Sequence, residues 1–177
     1  MKIFVIRHGE TKENQTGIMQ GNMDTELNEI GKKQARSLID KVKEANIDVV
    51  VVSPKKRTIQ TADIVAPNIL REYDYRLLSR DHGEFEGLRR DEINLENYWN
   101  IKKNIQYEKA ESVGSLYERV DSLLRDIKIK YKDKNVLLIT HSGICRILYY
   151  YFNGIPEDGN LMEYESHNCT FEEYELN

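Results

Sequence analysis

A chain of 177 residues, 40% apolar and 32% charged, is long enough to bury a sizeable core without disulfide or metal staples and is expected to form one domain. Its formal charge of −4 argues against a nucleic-acid-binding face, and no stretch approaches the ~18 apolar residues of a membrane-spanning helix. Cys145 and Cys169 are the only cysteines and show no metal-ligand spacing, which fits a reducing cytoplasm; the apolar run after Met1-Lys2 is too short for a signal peptide.

The run Ile3-Phe4-Val5-Ile6 predicts a buried strand that delivers the guanidinium of Arg7, the imidazole of His8 and the flexible Gly9 to the rim of a sheet. In open α/β sheets ligands bind beyond the carboxyl ends of the strands. Arg offers forked donors suited to phosphate, and His is readily neutral, hence nucleophilic, near pH 7. Asn28 is expected to cap a helix running to about Ala45, with Leu38, Ile39 and Val42 on its buried face. Four valines at 49–52 predict a second strand. Ser53 follows as N-cap and Pro54 as first helical residue, which sets Arg57 about one turn into a helix and close to the rim.

Residues from about 88 to 111 form a charged insertion containing Tyr98 and Trp99, expected to fold over the site. A helix is expected over 112–130, where Val113, Leu116, Val120, Leu123 and Ile127 keep one apolar face. The third strand, Val136-Leu137-Leu138-Ile139, ends in Thr140-His141-Ser142-Gly143 and leads into a helix over 144–152. Two of the four histidines thus stand at equivalent strand ends, each with a glycine close behind, and solvated surface does not explain that. Strands with continuous rather than alternating apolar residues predict a mostly parallel sheet covered on both faces, an α/β/α sandwich of three layers. Strand order is not readable from the pattern.

The ordered set Arg7-His8-Gly9-Glu10-Thr11 with Asn14, Gln20-Gly21 with Asp24, Leu27, Asn28 and Gly31, Ser53-Pro54 with Arg57, Gln60-Thr61-Ala62, Gly83-Glu84-Phe85-Glu86-Gly87 and Thr140-His141 with Gly143 resembles the histidine phosphatase superfamily, in its phosphoglycerate-mutase-like branch. The resemblance runs nearly the whole length and implies the same sandwich, in one domain over 1–177 in which the insertion at about 88–111 is a candidate lid by its own composition. It implies that His8 is a nucleophile forming a phosphohistidine, that Arg7 and Arg57 clamp the phosphoryl oxygens, and that His141 is a further donor. Asn14, Gln20, Gly21 and Ser142 match positions around the same phosphate. The implied partner is a small phosphorylated metabolite, with no nucleic acid and no membrane; oligomeric state is not legible. No metal or other cofactor is expected, because guanidinium groups neutralise the phosphoryl charge and the histidines lack HxH or HExxH spacing. By size the chain resembles alpha-ribazole phosphatases and broad-specificity phosphatases. The other readings are a phosphoglycerate mutase primed by 2,3-bisphosphoglycerate and a weakly active or inactive phosphate-binding relative.

One position departs from the pattern. Relatives usually carry a general-acid Glu four residues before the first Gly of the Gly-x-aromatic-Glu-Gly segment, and here that place is Ser79 in Ser79-Arg80-Asp81-His82-Gly83. A serine hydroxyl is too weak an acid to protonate a departing alkoxide near neutrality, and general acid catalysis typically contributes ~10²–10⁴-fold. Asp81, two residues on along an extended segment, is one candidate substitute, and Glu84 another; the bland reading of both is a solvated loop carboxylate. Arg80, Arg89 and Arg90 are expected to be solvated, Trp99 partly packed into the core, and Cys145 buried as a small hydrophobe.

Overall fold

The computed structural model describes residues 1–176. Five strands, β1 (Lys2–Arg7), β2 (Val49–Val52), β3 (Leu70–Tyr73), β4 (Val136–Thr140) and β5 (Phe171–Glu175), form one sheet in the order β3-β2-β4-β1-β5. The first four run parallel, and β5 pairs antiparallel with β1. The α-helices are α1 (Lys12–Thr16), α2 (Glu29–Arg36), α3 (Ile39–Glu44), α4 (Lys56–Val65), α5 (Leu95–Tyr98), α6 (Val113–Lys130) and α7 (Ser142–Asn153). No helix among the described residues is long and apolar enough to cross a membrane.

Side-chain direction alternates along a strand, so residue parity sorts the core into two layers. Ile3, Val5, Val49, Val51, Val136 and Leu138 pack with α6 and α7 on one face. Phe4, Ile6, Val50, Val52, Leu137 and Ile139 pack with α2, α3 and α4 on the other. Both faces of β2 and β4 are therefore buried, which is why their sequences are continuously apolar. Each such aliphatic side chain contributes roughly 1.5–3 kcal/mol on burial. The edge strand β5 reads Phe-Glu-Glu-Tyr-Glu and never becomes fully buried along its length.

Strand register sets the site. Ile139 of β4 stands opposite Val52 of β2 on one side and Ile6 of β1 on the other. Three adjacent strands thus end at one level, and the chain segments leaving them are neighbours.

Two expected boundaries move. The helix expected from Asn28 to Ala45 is two helices, α2 and α3, although Asn28 does cap the first by accepting from Gly31 N–H. At the break the Ser37 hydroxyl donates to the Gln34 carbonyl, a local bond that competes with the helical ladder. The bend turns Leu38 and Val42 onto the sheet while Ile39 stays only half-buried. Ser53 is not an N-cap and Pro54 is not helical: α4 begins at Lys56, with Lys55 as an N-cap that makes no side-chain bond. Asp24 accepts from Lys56 N–H in its place, at 2.8 Å, and leaves the Ser53 hydroxyl for other use. The helix α6 starts one residue after Ser112, whose hydroxyl accepts from Ser115 N–H.

Candidate active site

A cavity of about 200 Å³ opens at the carboxyl ends of β1, β4 and β2. Arg7, His8, Arg57 and His141 line it, and so do Asn14, Gln20, Gly21, Ser79 and Ser142. The N-terminus of α7 also faces the cavity through Ser142 and Gly143, and a helix N-terminus favours an anion.

His8 is 3% exposed, and its Nδ1 lies 2.8 Å from the Gly9 carbonyl. A carbonyl only accepts, so Nδ1 carries the proton and Nε2 keeps its lone pair. That Nε2 makes no hydrogen bond among the described residues and is not sealed off by protein. Burial first, and then the charges of Arg57 and Arg7, hold the imidazole well below its ordinary pKa, so it stays neutral. The His8 and His141 rings meet edge to face, their centroids 5.3 Å apart and their planes at 63°.

His141 has both ring nitrogens engaged. Nδ1 accepts from Arg57 Nε at 3.2 Å, so in the neutral ring the proton sits on Nε2, which donates to the Ser53 hydroxyl at 2.8 Å. Burial, followed by Arg57, keeps this ring neutral as well. Arg57, 1% exposed, also donates to the carbonyls of Met23 and Gly21. Desolvation pushes its pKa down to about 10, which leaves it charged at neutrality. Arg7 donates through Nη1 to the Ser166 carbonyl, while its Nε is buried with no partner in the protein. The Asn14 side-chain oxygen caps α1 through Thr11 N–H and accepts from Asn168 Nδ2.

The stretch 79–84 divides. Ser79 is half-buried on the cavity wall. Asp81 is not on that wall: its Oδ1 accepts from Gly83 N–H at 2.9 Å, and it lines a neighbouring surface groove that shares Ser79 with the cavity and includes Lys109, Glu111 and Arg119. Asp81, a catalytic candidate in the sequence, is therefore not among the residues that line this cavity, because its carboxylate is taken up by the N–H of Gly83 in the turn that follows. Glu84 is exposed and accepts from the backbone N–H groups of Glu108, Lys109 and Ala110, holding the insertion down. Arg80, expected to be solvated, is fully buried over the Tyr98 ring at 3.6 Å.

Several wall residues carried little or no signal in the sequence. His82 lines the cavity with its Nδ1 2.8 Å from the Tyr98 hydroxyl, and burial pushes its pKa down to about 3. Trp99 belongs to the core and to the wall at once. It fits because Gly143 has no side chain; a Cβ there would stand 3.0 Å from Trp99 Cη2. Arg90, Arg146, Glu165 and Asn168 complete the rim, and Glu165 is the one carboxylate on the wall among the described residues. Asn168 donates to the His8 carbonyl from 160 positions away, a distance at which no local pattern speaks. Cys145 is 1% exposed, and burial pushes its thiol up to about 12, so it acts as packing. No group of three or more His, Cys, Asp or Glu side chains among the described residues is placed to hold a metal ion.

The match to a family model decides the assignment: residues 3–177 fit the histidine phosphatase superfamily, branch 1. The chain belongs to the histidine phosphatase superfamily. It is 29% identical to phosphoserine phosphatase 1 of Hydrogenobacter thermophilus, covering 99% of this chain and 85% of that protein. It is 34% identical to phosphoglycerate mutase-like protein 4 of Arabidopsis thaliana, over 84% of this chain and 69% of the relative. Among solved structures, YhfR of Bacillus stearothermophilus superposes with a TM-score of 0.88 at 25% identity, covering 99% of this chain and 91% of that one. In this histidine phosphatase Arg7, His8, Arg57 and His141 gather around one cavity at the carboxyl ends of three adjacent strands.

Proposed function

We propose that this protein is a phosphomonoester hydrolase that acts on a small phosphorylated metabolite through a phosphohistidine on His8. The observation that carries the reading is the state of His8: a neutral imidazole whose Nδ1–H is tied to the Gly9 carbonyl, so that Nε2 faces the cavity with its lone pair free. The Nε2 lone pair attacks phosphorus, the ester P–O bond breaks, and its electron pair leaves on the alcohol oxygen. Water then attacks phosphorus, the P–N bond breaks, neutral His8 returns, and of water's two protons one stays on the phosphate and the other balances the departed alkoxide as alcohol. Arg7 and Arg57 supply the positive charge that the equatorial oxygens need, so the scheme requires no metal and no other cofactor. His141 stands between Arg57 and Ser53, and its role is to hold the Arg57 guanidinium and to offer its Nε2–H when Ser53 turns aside. Asn14, Gln20, Gly21 and Ser142 complete the phosphate's surroundings.

The segment 88–111 acts as a lid in this reading, since Arg90, Leu95 and Trp99 bring it onto the wall. The phosphoserine phosphatase among the relatives supports a substrate of that size. Two unpaired cysteines fit action in a reducing compartment. With Ser79 at the acid's place, leaving groups stable as anions, such as phenolates, are favoured over alkoxides, which need a proton. The test is rapid-quench labelling with a 32P-labelled aryl phosphate, stopped in alkaline detergent, in which a phosphohistidine survives. Transient label on His8, absent in His8→Ala, supports the hydrolase; no label in the wild type returns the protein to a phosphate-binding role. Turnover of phosphoglycerate that depends on added 2,3-bisphosphoglycerate would mark a mutase instead.

A further inference from the structure

The cavity wall carries a third imidazole, that of His82, three residues after Ser79. Its Nδ1 lies 2.8 Å from the hydroxyl of Tyr98, whose side chain is buried. That hydroxyl has no other partner among the described residues, so its proton goes to the one acceptor within reach, His82 Nδ1. The neutral ring then carries its own proton on Nε2. Nε2 makes no hydrogen bond among the described residues and is not enclosed by protein. The ring also stands close to the phosphoryl cradle. Its Cδ2, bonded to Nε2, would lie 3.2 Å from a Cβ on Gly21, and the Gly21 carbonyl accepts from Arg57 Nη2 at 3.1 Å. One residue thus separates the Arg57 fork from an N–H that faces the cavity.

Behind the ring lies a cation without a counter-anion. Arg80 is fully buried, and both of its hydrogen bonds go to carbonyls, from Nε to Glu111 at 2.8 Å and from Nη1 to Tyr98 at 2.6 Å. Its Nη2 is buried with no partner in the protein. The guanidinium carbon stands 3.6 Å from the centroid of the Tyr98 ring. A buried charge ordinarily has a partner of opposite sign, and the group placed to become one is the Tyr98 phenol. Burial raises the pKa of that phenol, and the charge of Arg80 acts the other way.

We propose that His82 is a further catalytic residue: its Nε2–H protonates the departing alkoxide while the Tyr98 hydroxyl protonates Nδ1, so that a Tyr98–His82 relay stands in for the acid missing at Ser79. As the ester P–O bond breaks, its electron pair stays on the alcohol oxygen and takes the Nε2 proton. Nδ1 takes the Tyr98 proton, and a phenolate remains beside Arg80. When water attacks the phosphohistidine, its proton passes to Nε2 and Nδ1 returns its own to Tyr98. The imidazole ends each step neutral. An alkoxide is about as basic as hydroxide, whose parent water has a pKa of about 15.7, so a phenol can supply its proton. The inference rests on the hydrolase reading above and adds to it the source of the leaving group's proton.

The test is the dependence of kcat/KM on leaving-group basicity, measured with p-nitrophenyl phosphate, phenyl phosphate and glycerol 2-phosphate. In the wild type the dependence should be shallow, because a proton neutralises the leaving oxygen in the transition state. Tyr98→Phe keeps the ring beneath Arg80 and removes the proton. It should lower kcat/KM for glycerol 2-phosphate about a hundredfold more than for p-nitrophenyl phosphate, the lower end of general acid catalysis. His82→Gln keeps an N–H but cannot pass a proton, and should steepen the dependence in the same way. Equal losses on the two esters would assign the pair to packing and overturn the proposal. A steep dependence in the wild type, a measurement that needs no variant, overturns it as well. Both results leave the hydrolase standing so long as His8 takes label from an aryl phosphate. No turnover of any of the three esters and no label on His8 overturns both.

Discussion

A proton on one ring nitrogen of His8 decides what the site can do. With Nδ1–H tied to the Gly9 carbonyl, the ring cannot present that nitrogen to the cavity, and Nε2 is the atom the proposed reaction uses. At the opposite end of the proposed reaction the chain has the Ser79 hydroxyl where the family resemblance leads one to expect an acid. Ser79 lies on the wall, Asp81 is turned to Gly83 N–H, and Glu84 is committed to the backbone of 108–110. The departing oxygen of an alkyl ester therefore finds no carboxylic acid from this stretch. Ser79→Glu is expected to raise turnover of an alkyl phosphate at least about tenfold, the lower range of general acid catalysis, with a smaller effect on an aryl phosphate. Steady-state rates on the two ester types check this. Equal rates for variant and wild type on the alkyl ester would move the acid role to another group, with Glu165 the wall carboxylate to test next.

At the scale of elements, the loop after β1 is held by its contact with α2. Gln34 Oε1 accepts from Glu10 N–H, Asn28 N–H donates to the Glu10 carbonyl, and Asn28 Nδ2 donates to the Glu10 carboxylate. Thr61 of α4 accepts from Gly9 N–H. Backbone meets backbone here, and a Cβ on Gly31 would stand 2.2 Å from the Glu10 carbonyl oxygen. Replacing Gly by Ala inside a helix ordinarily gains about 0.5–1 kcal/mol, whereas forcing atoms into a packed site costs roughly 1–3 kcal/mol. The clash is with backbone that cannot swing aside, so it wins. Gly31→Ala is expected to lower the urea midpoint and, by displacing the loop that carries His8, to lower kcat as well. A midpoint at or above the wild-type value would show that α2 can withdraw from the loop without cost.

For the whole molecule, three imidazoles are buried in neutral form, and this links stability to pH. Burial and neighbouring guanidiniums hold His8 and His141 well below 6.5, and burial takes His82 to about 3. Their folded values lie below the unfolded ones, so as pH falls the unfolded chain takes up protons first. Stability is fully present above about 6.5 and declines below it, by up to roughly 1.4 kcal/mol per histidine per pH unit until the folded value is reached. Urea unfolding between pH 7 and 5 should show a steadily falling midpoint, and a midpoint that stays level would mean these rings titrate in the folded protein. The same packing explains how a chain of net charge −4 presents the buried Arg57 and Arg146, with Arg7 and the exposed Arg90, to one cavity: cations are gathered where an anion is meant to enter.

The buried strands were legible in the sequence because a strand covered on both faces must be apolar at every position, and 49–52 and 136–139 are. The long helix 113–130 was legible from its periodic face, and the residues at the ends of β1, β2 and β4 from their place directly behind apolar runs. The sequence could not order the strands, since any arrangement buries the same valines and leucines. Only the tertiary structure puts β4 between β1 and β2, and so His141 between His8 and Arg57. It also decided where Ser53 and Asp81 turn, because each hydroxyl or carboxylate takes whichever partner the fold brings nearest. Glu165 and Asn168 meet the site across gaps of chain that no local period spans. Local physical chemistry writes the elements, and contacts between distant segments choose which side chains share a cavity.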